Sequence, residues 1–212
     1  MTRLVTVAHG SRDPRGNAVA AAVTAAAGAR LGVAAVASYV ELAAPLHAEV
    51  MASGERSVVV PLLLSTGHHV RADVGSGRPL GPDPLLAVAQ ASRLVEAGAT
   101  PGQPAVLVAA GSRDPEALRD LRWATRLLAS TWGGPVRLAT LGGLGDRPAD
   151  VVRPGDAVSP YLLAPGFFAT QARSECRAAG ASVVADPIGA HPAVVDLVVE
   201  RAGVLLAGRR TA

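Results

Sequence analysis

The stretch "TVAHGSRDP", residues 6–14, returns later in the chain as "LVAAGSRDP", residues 107–115. In both copies a short apolar run leads into Gly-Ser-Arg-Asp-Pro, a composition typical of a strand followed by a turn and then by a helix, which we expect to begin at Asn17 in the first copy. The copies differ at one telling position, where the first has His9 and the second has Ala110. The repeat predicts that one structural unit is written twice.

Two further pairs of segments extend the duplication along the chain. "PLLLSTGHH" (61–69) matches "PYLLAPGFF" (160–168), and "LGPDPLLAV" (80–88) matches "IGAHPAVVD" (188–196). The copies lie 99 residues apart at the first pair (160 minus 61) and 108 apart at the second (188 minus 80). The first half is therefore nine residues shorter here (108 minus 99), and we expect its stretch 70–79 to be irregular because it is too short for both a helix and a strand.

Val-rich runs alternate with Ala-rich segments of helical length in both halves. This alternation predicts an α/β fold in which each half forms a small parallel sheet with right-handed helical crossovers. The predicted strands are 4–8, 33–40, 57–64, 105–110, 136–141, 157–164 and 182–186, and the predicted helices are 18–30, 43–53, 116–130, 169–179 and 192–206. The stretch "GATPGQP" (98–104) is the predicted linker, so the expected domains are 1–97 and 104–212.

The composition of the 212 residues limits the functional classes. Half of the residues are hydrophobic but only 3% are aromatic, which favours a parallel α/β core of small side chains. All 20 basic residues are arginine, yet no basic run contains interleaved aromatic residues, which argues against nucleic-acid binding. Cys176 is the single cysteine, so we expect no disulfide and a reducing, cytoplasmic location. We predict neither a secretion signal nor a membrane span.

Histidines follow two of the predicted strands. His9 comes after the first strand and the pair His68-His69 after the third, whereas the second half has Phe167 and Phe168 in place of that pair. Loops at the carboxyl ends of parallel strands meet at one edge of a sheet, where ligands bind. Two imidazoles there can bind Fe²⁺, Co²⁺ or Ni²⁺ and can accept protons. Alternation along an extended segment sends only one of the adjacent pair toward that edge, which leaves the choice open.

Other polar residues have two interpretations each. Glu41, at the end of the second strand, is either a proton acceptor at the same edge or a charge at the start of the helix predicted for 43–53. Asp73 either orients an imidazole or caps a turn. His47 and His191 are predicted to be structural. The sequence therefore predicts one active site in the first half and a scaffold copy in the second.

The chain resembles the sirohydrochlorin chelatases of the CbiX/SirB type in their long, two-domain form. "AHGSRDP" is similar to the family's opening His-Gly-Ser motif, "PLLLSTGHHVRADV" to its Pro-Leu-x-Leu-x-x-Gly-x-His-x-x-x-Asp motif, and "SPYLLAPGF" to the corresponding stretch of the second domain. These motifs span nearly the whole chain. The resemblance implies two tandem chelatase-like α/β lobes that face each other across a cleft.

The resemblance also implies a reaction and its residues. The family's metal-handling histidines correspond to His9 and His69, and its acidic position corresponds to Glu41. The implied reaction is ATP-independent insertion of Fe²⁺ or Co²⁺ into sirohydrochlorin, for sirohaem or cobalamin, with the metal as a substrate and no permanently bound cofactor. One imidazole would present the metal while the other, or Glu41, removes pyrrole protons. The expected contacts to the substrate carboxylates come from Ser11, Arg12 and Arg71, with Arg15 and Arg78 as further candidates.

Two alternatives to a chelatase remain at this stage. One is a non-catalytic carrier of metal or tetrapyrrole, in which the shortened stretch 70–79 leaves binding without turnover. The other is a phosphoryl-transfer enzyme with His9 as nucleophile, which Ala8 disfavours because histidine phosphatases place an arginine before the histidine. A duplicated chain already supplies two lobes, so we expect a monomer whose partners are sirohydrochlorin and a divalent ion, with no nucleic acid and no membrane.

Overall fold

Two parallel β-sheets, one from each half of the chain, form the framework of the fold. The computed structural model describes residues 2–66 and 78–208. The first sheet has the order β2-β1-β3, with β1 at Arg3–Ala8, β2 at Ala35–Tyr39 and β3 at Ser57–Pro61. The second sheet has the order β5-β4-β6-β7, with β4 at Ala105–Ala109, β5 at Val136–Thr140, β6 at Ala157–Tyr161 and β7 at Val183–Val184. All strand pairs are parallel, which confirms the predicted class.

Helices flank both sheets within the described residues. They are α1 (Pro14–Leu31), α2 (His47–Ala52), α3 (Pro84–Glu96), α4 (Pro115–Trp132), α5 (Pro148–Val151), α6 (Phe167–Ala178) and α7 (Pro192–Gly208). Five of them correspond to predicted helices, whereas α3 and α5 were not predicted. The sequence did contain a signal for the start of α3, which is the pair Asp83-Pro84. Asp83 caps this helix, because its side chain accepts a hydrogen bond of 3.0 Å from the backbone N–H of Leu85.

Helix α1 begins earlier than the sequence analysis expected. It starts at Pro14 and not at Asn17, since Asp13 is its N-cap and accepts a hydrogen bond of 2.9 Å from the N–H of Arg15. Proline suits the first helical position because a backbone N–H there would have no intrahelical acceptor, so its absence costs no hydrogen bond. The same arrangement recurs where Asp114 caps α4. The Asp-Pro pair, interpreted as part of a turn, is in fact the helix start in both halves.

The last helix of each half packs against the other half. Helix α3 follows the first sheet in the chain but packs on β6 and α4, and α7 follows the second sheet but packs on β3 and α1. Leu94 of α3 and Leu197 of α7 are fully buried in one hydrophobic cluster that contains residues of both sheets. The last helix of each sequence repeat is therefore packed against the sheet of the other repeat.

The predicted difference between the halves falls partly outside the described residues. In the second half the corresponding region contains α6 and β7, and the sequence analysis matched the shorter stretch 70–79 of the first half to both elements. Only Arg78 and Pro79 of that stretch are described, and both lie outside helices and strands. In the described ranges 2–66 and 78–208, none of the helices combines the length and the apolar composition that crossing a membrane requires.

Candidate active site

His9 and Glu41 lie side by side at the carboxyl edge of the first sheet. His9 directly follows β1 and Glu41 follows β2 by two residues. The Nε2 atom of His9 is 3.4 Å from Oε1 of Glu41, and the backbone N–H of Glu41 donates a hydrogen bond of 3.1 Å to the carbonyl oxygen of His9. The side chains are 46% and 52% exposed, respectively, so a ligand can reach both. The structure brings together the imidazole and the carboxylate that the sequence placed on this edge.

Gly10 allows this close approach. Its φ is +96°, and a Cβ atom at this position would lie 1.8 Å from the carbonyl oxygen of Glu41. The loop after β1 therefore passes directly over the backbone that carries the carboxylate, and only glycine fits. The second half has the same arrangement, in which a Cβ on Gly111 would lie 1.9 Å from the carbonyl oxygen of Gly142.

The second half lacks both side chains of the pair. The strand registers in the two sheets are equivalent, and they match Ala110 to His9 and Gly142 to Glu41, each 101 residues further along. The sequence analysis noticed the first replacement and missed the second. The signal was available, because the 101-residue spacing of the Gly-Ser-Arg-Asp-Pro copies also leads from Glu41 to Gly142.

The alternative interpretation of Glu41 as a helix charge is wrong. Helix α2 begins at His47, well beyond Glu41, and not at residue 43 as predicted. The acidic residue of its first turn is Glu49, which accepts a hydrogen bond of 2.9 Å from the N–H of Leu46. The carboxylate of Glu41 is therefore directed to His9 and not to a helix start.

His47 and His191 have local structural contacts away from this pair. The Nδ1 atom of His47 lies 3.1 Å from the Ser38 hydroxyl, and Nδ1 of His191 accepts a hydrogen bond of 3.2 Å from the N–H of Ala193 at the start of α7. Burial lowers the pKa of both imidazoles. These contacts agree with the structural role that the sequence analysis gave to both residues.

An open cavity of about 850 Å³ extends from the His9–Glu41 pair to the second half. Its lining includes residues that follow β1, β2, β3, β4 and β6, so the carboxyl ends of strands from both sheets open into it. The second half contributes the side chains of Tyr161, Phe167 and Phe168 to the lining. The volume lies in the range of pockets that enclose one small organic ligand.

Ser11 and Arg12 both line this cavity, in different ways. The Ser11 hydroxyl accepts a hydrogen bond of 3.0 Å from the N–H of Asp13, and its own N–H donates one of 3.0 Å to Asn17, so Ser11 shapes the turn. Arg12 is exposed. Of the further arginine candidates, Arg15 pairs with Asp13 at 2.7 Å, and Arg78 is exposed but does not belong to the described lining.

His68, His69, Arg71 and Asp73 lie outside the described residues. The first described range of the chain ends at Thr66, and a residue of the second half contacts Thr66. The N–H of Thr66 donates a hydrogen bond of 2.6 Å to Oδ2 of Asp120. Sequence reasoning did not find Asp120, because this contact depends on how the halves pack. Over the part of the chain that is described, no cluster of three or more histidine, cysteine or acidic residues is positioned to hold a metal ion.

Comparison with known protein families shows the family to which this chain belongs. The CbiX family model matches residues 3–97 and again residues 104–204. The chain belongs to the CbiX family. This confirms the resemblance inferred from the motifs, and the two matched ranges correspond to the two copies of the repeat in this CbiX chain. No curated protein gives a significant match to it.

Solved structures share the fold of this CbiX chain. SirB from Bacillus subtilis with Fe³⁺ is 24% identical with a TM-score of 0.82, over 99% of this chain and 97% of SirB. SirB from the subspecies spizizenii, in complex with cobalt, is 24% identical with a TM-score of 0.75, over 94% and 93% of the two chains. DR2241 from Deinococcus radiodurans, a multi-domain protein with structural similarity to chelatases, is 19% identical with a TM-score of 0.69, over 95% of this chain and 55% of DR2241. The fold class predicted from the sequence is thus confirmed.

Proposed function

We propose that this protein is a sirohydrochlorin chelatase that inserts a divalent metal, Fe²⁺ or Co²⁺, without ATP. The observation that carries the proposal is the exposed His9–Glu41 pair, 3.4 Å apart, which opens into the cavity and is missing from the second half. Structurally similar SirB proteins bind Fe³⁺ and cobalt, which supports metal chemistry on this fold.

The pair suits both parts of the reaction. A neutral imidazole nitrogen and a carboxylate oxygen are ligands for borderline divalent ions, so His9 and Glu41 would present the metal, with His69 as a further proposed ligand. Insertion would form bonds from the metal to all four ring nitrogens and release two protons from the two N–H groups, so that the dication replaces two protons and the charge balances. Glu41 or an imidazole that has released the metal would accept these protons and pass them to water. The metal is a substrate in this scheme, and the enzyme needs no permanently bound cofactor.

The macrocycle would lie in the cavity with its carboxylates toward arginine side chains. Arg12 is exposed at the lining and has a guanidinium group suited to two parallel hydrogen bonds with a carboxylate. Arg71 and the Ser11 hydroxyl are the other proposed contacts. Arg15 is a weaker candidate than the sequence indicated, because its guanidinium already pairs with Asp13.

Further parts of the proposal concern the whole molecule. The cavity would be the cleft between two lobes, with the active lobe at 1–97 and the scaffold lobe at 104–212. The protein would act as a cytoplasmic monomer with sirohydrochlorin and the metal ion as its partners, for sirohaem or cobalamin synthesis. Anaerobic insertion rates with Fe²⁺, Co²⁺ and Ni²⁺ would identify the preferred metal.

The decisive experiment is anaerobic incubation with sirohydrochlorin and each metal, followed by the visible spectrum. His9→Ala and His69→Ala should each lower the insertion rate by roughly 100-fold or more, because positioned acid–base and ligand groups contribute at least this much. The double variant should be hardly slower than either single one, since residues that act as a unit are not additive. His47→Gln is the matched control and should insert metal at the wild-type rate.

Two results would contradict the proposal. Near-wild-type rates in both single variants, with unchanged far-ultraviolet circular dichroism, would exclude the histidines from the reaction. Tight binding of Co²⁺ and sirohydrochlorin by the wild-type protein without any spectral conversion would instead favour a carrier.

A further inference from the structure

Leu42, next to Glu41, has a backbone conformation that is unusual for leucine. Its φ is +64°, and it is the one non-glycine residue with positive φ in the described ranges. The equivalent residue of the second half is Gly143, 101 positions further along, with φ +65°. The two halves therefore share this left-handed turn, but only the second uses the residue that adopts it without strain.

Packing in the protein core does not compensate for the strain at Leu42. Its side chain is 48% exposed and does not belong to the buried hydrophobic clusters. Strained residues persist only where the surrounding structure fixes their conformation, and they concentrate at active sites and ligand-binding sites. In the second half a side chain would not fit, because a Cβ on Gly143 would lie 2.2 Å from the carbonyl oxygen of Ser112. The first half thus differs from its copy by making room for a side chain here.

The side chain of Leu42 borders the same cavity as two phenylalanines of the second half. Phe167 and Phe168 begin α6, line the cavity and are 76% and 44% exposed. Their rings meet edge to face with centroids 5.4 Å apart. Three large apolar side chains are thus exposed to one concave space beside the His9–Glu41 pair, an arrangement typical of a surface that binds an apolar ligand.

We propose that Leu42, Phe167 and Phe168 form an apolar clamp for the flat face of a conjugated macrocycle, and that Leu42 determines its position over Glu41. This inference rests on the proposed function and names residues that no part of that proposal requires. The carboxylates of a tetrapyrrole lie at its periphery and its nitrogens at its centre, whereas the two faces of the conjugated ring are apolar. Contacts from the clamp to the ring face would leave the carboxylates to Arg12 and hold the pyrrole nitrogens near the metal-binding pair.

The test compares Leu42→Gly and Leu42→Asn with Leu144→Gly. Glycine relieves the strain, and asparagine tolerates the left-handed conformation while replacing the apolar side chain with a polar one. Leu144 is an exposed leucine in the equivalent loop of the second half and lies outside the cavity lining. Binding of metal-free sirohydrochlorin is measured by its fluorescence, Co²⁺ binding alone by calorimetry, and the fold by the thermal midpoint.

Both Leu42 variants should weaken sirohydrochlorin binding by about tenfold or more, as expected for the loss of a leucine side chain that the bound ring would cover. Co²⁺ binding should not change, the thermal midpoint of Leu42→Gly should not fall, and KM should rise more than kcat falls. Leu144→Gly should bind sirohydrochlorin like the wild type, and Phe167→Ala/Phe168→Ala should weaken binding to a similar degree as Leu42→Gly.

The outcomes separate this inference from the proposed function. If the wild type inserts metal but the Leu42 variants bind sirohydrochlorin as tightly as the wild type does, the clamp is overturned and the chelatase proposal stands. If the wild type binds no sirohydrochlorin at all, both fail. Equal weakening of Co²⁺ binding in the Leu42 variants would show a disturbed metal-binding pair and would also overturn the clamp.

Discussion

The hydroxyl of Tyr161, in the second half of the chain, donates a hydrogen bond of 2.9 Å to the carbonyl oxygen of Leu64, in the first half. Tyr161 is buried at the end of β6, and burial raises the pKa of its phenol, so the hydroxyl keeps its proton and remains a donor. Asp120 holds Thr66 two residues further along. The second half of the chain therefore binds the segment that precedes the His68-His69 pair in the sequence.

Tyr161→Phe should slow metal insertion strongly while it lowers the free energy of unfolding only slightly. Loss of the hydroxyl leaves a carbonyl group without its partner and should cost about 1 kcal/mol of unfolding free energy. Misplacement of the histidine segment should lower kcat by roughly tenfold to 100-fold with little change in KM. Tyr39→Phe is the control, since it removes a hydroxyl that donates to the carbonyl of Asn17 at 3.2 Å. Equal kcat in the two variants would contradict the positioning role.

Gly10→Ala should damage both stability and activity. The added Cβ would overlap the carbonyl oxygen of Glu41, so the loop after β1 must move, at a cost of more than about 2 kcal/mol. Gly32→Ala is the matched control, because Gly32 also has positive φ but has open space around it. That variant should cost only about 1 kcal/mol and keep full activity. Urea unfolding and insertion rates check both expectations, and similar losses in the two variants would argue against the overlap.

The free energy of unfolding should decrease as the pH falls below about 6.5. Burial lowers the pKa of His47 and His191 in the folded protein, so the unfolded chain binds these protons more readily. Stability from these groups is present above the unfolded pKa of about 6.5 and is lost as the pH falls below it. Urea unfolding between pH 7.5 and pH 5 measures the slope. His47→Gln should give a shallower slope, and an unchanged slope would exclude His47 as a contributor.

The thiol of Cys176 should be inert in the folded protein. Cys176 is fully buried within α6, and burial raises its pKa to about 12, so almost no thiolate exists at pH 8. Ellman's reagent should therefore react only as fast as the protein unfolds, and immediately in denaturant, where the pKa is ordinary. Fast reaction of the native protein at pH 8 would show that α6 opens readily.

Local sequence signals predicted most of the framework. Alternating Val-rich and Ala-rich segments gave the strands and five of the helices, because hydrophobic periodicity reflects local structure. The boundaries were less accurate, as at α1, where the Asp-Pro pair was interpreted as a turn although Asp13 caps a helix. Helix α3 was missed despite the same signal at Asp83 and Pro84.

The site was predictable where it depends on strand order and hidden where it depends on packing. Parallel strands end at one edge, so His9 and Glu41 could be placed together before their distance was known. Asp120 and Tyr161 could not be found, because each acts across the contact between the halves. The strain at Leu42 was missed although a signal existed, because the 101-residue spacing leads from Leu42 to Gly143, a residue type that favours positive φ.

The exchange of α3 and α7 between the halves resembles the way in which two separate chains pair. Two identical chains could close each other's sheets with their terminal helices in the same way, as in a twofold dimer. In such a dimer every substitution occurs twice, so removal of a histidine from one site removes it from both. Joining the copies through residues 98–104 lifts that symmetry. In a joined chain the two copies can therefore differ at equivalent positions, as His9 and Glu41 differ from Ala110 and Gly142 here.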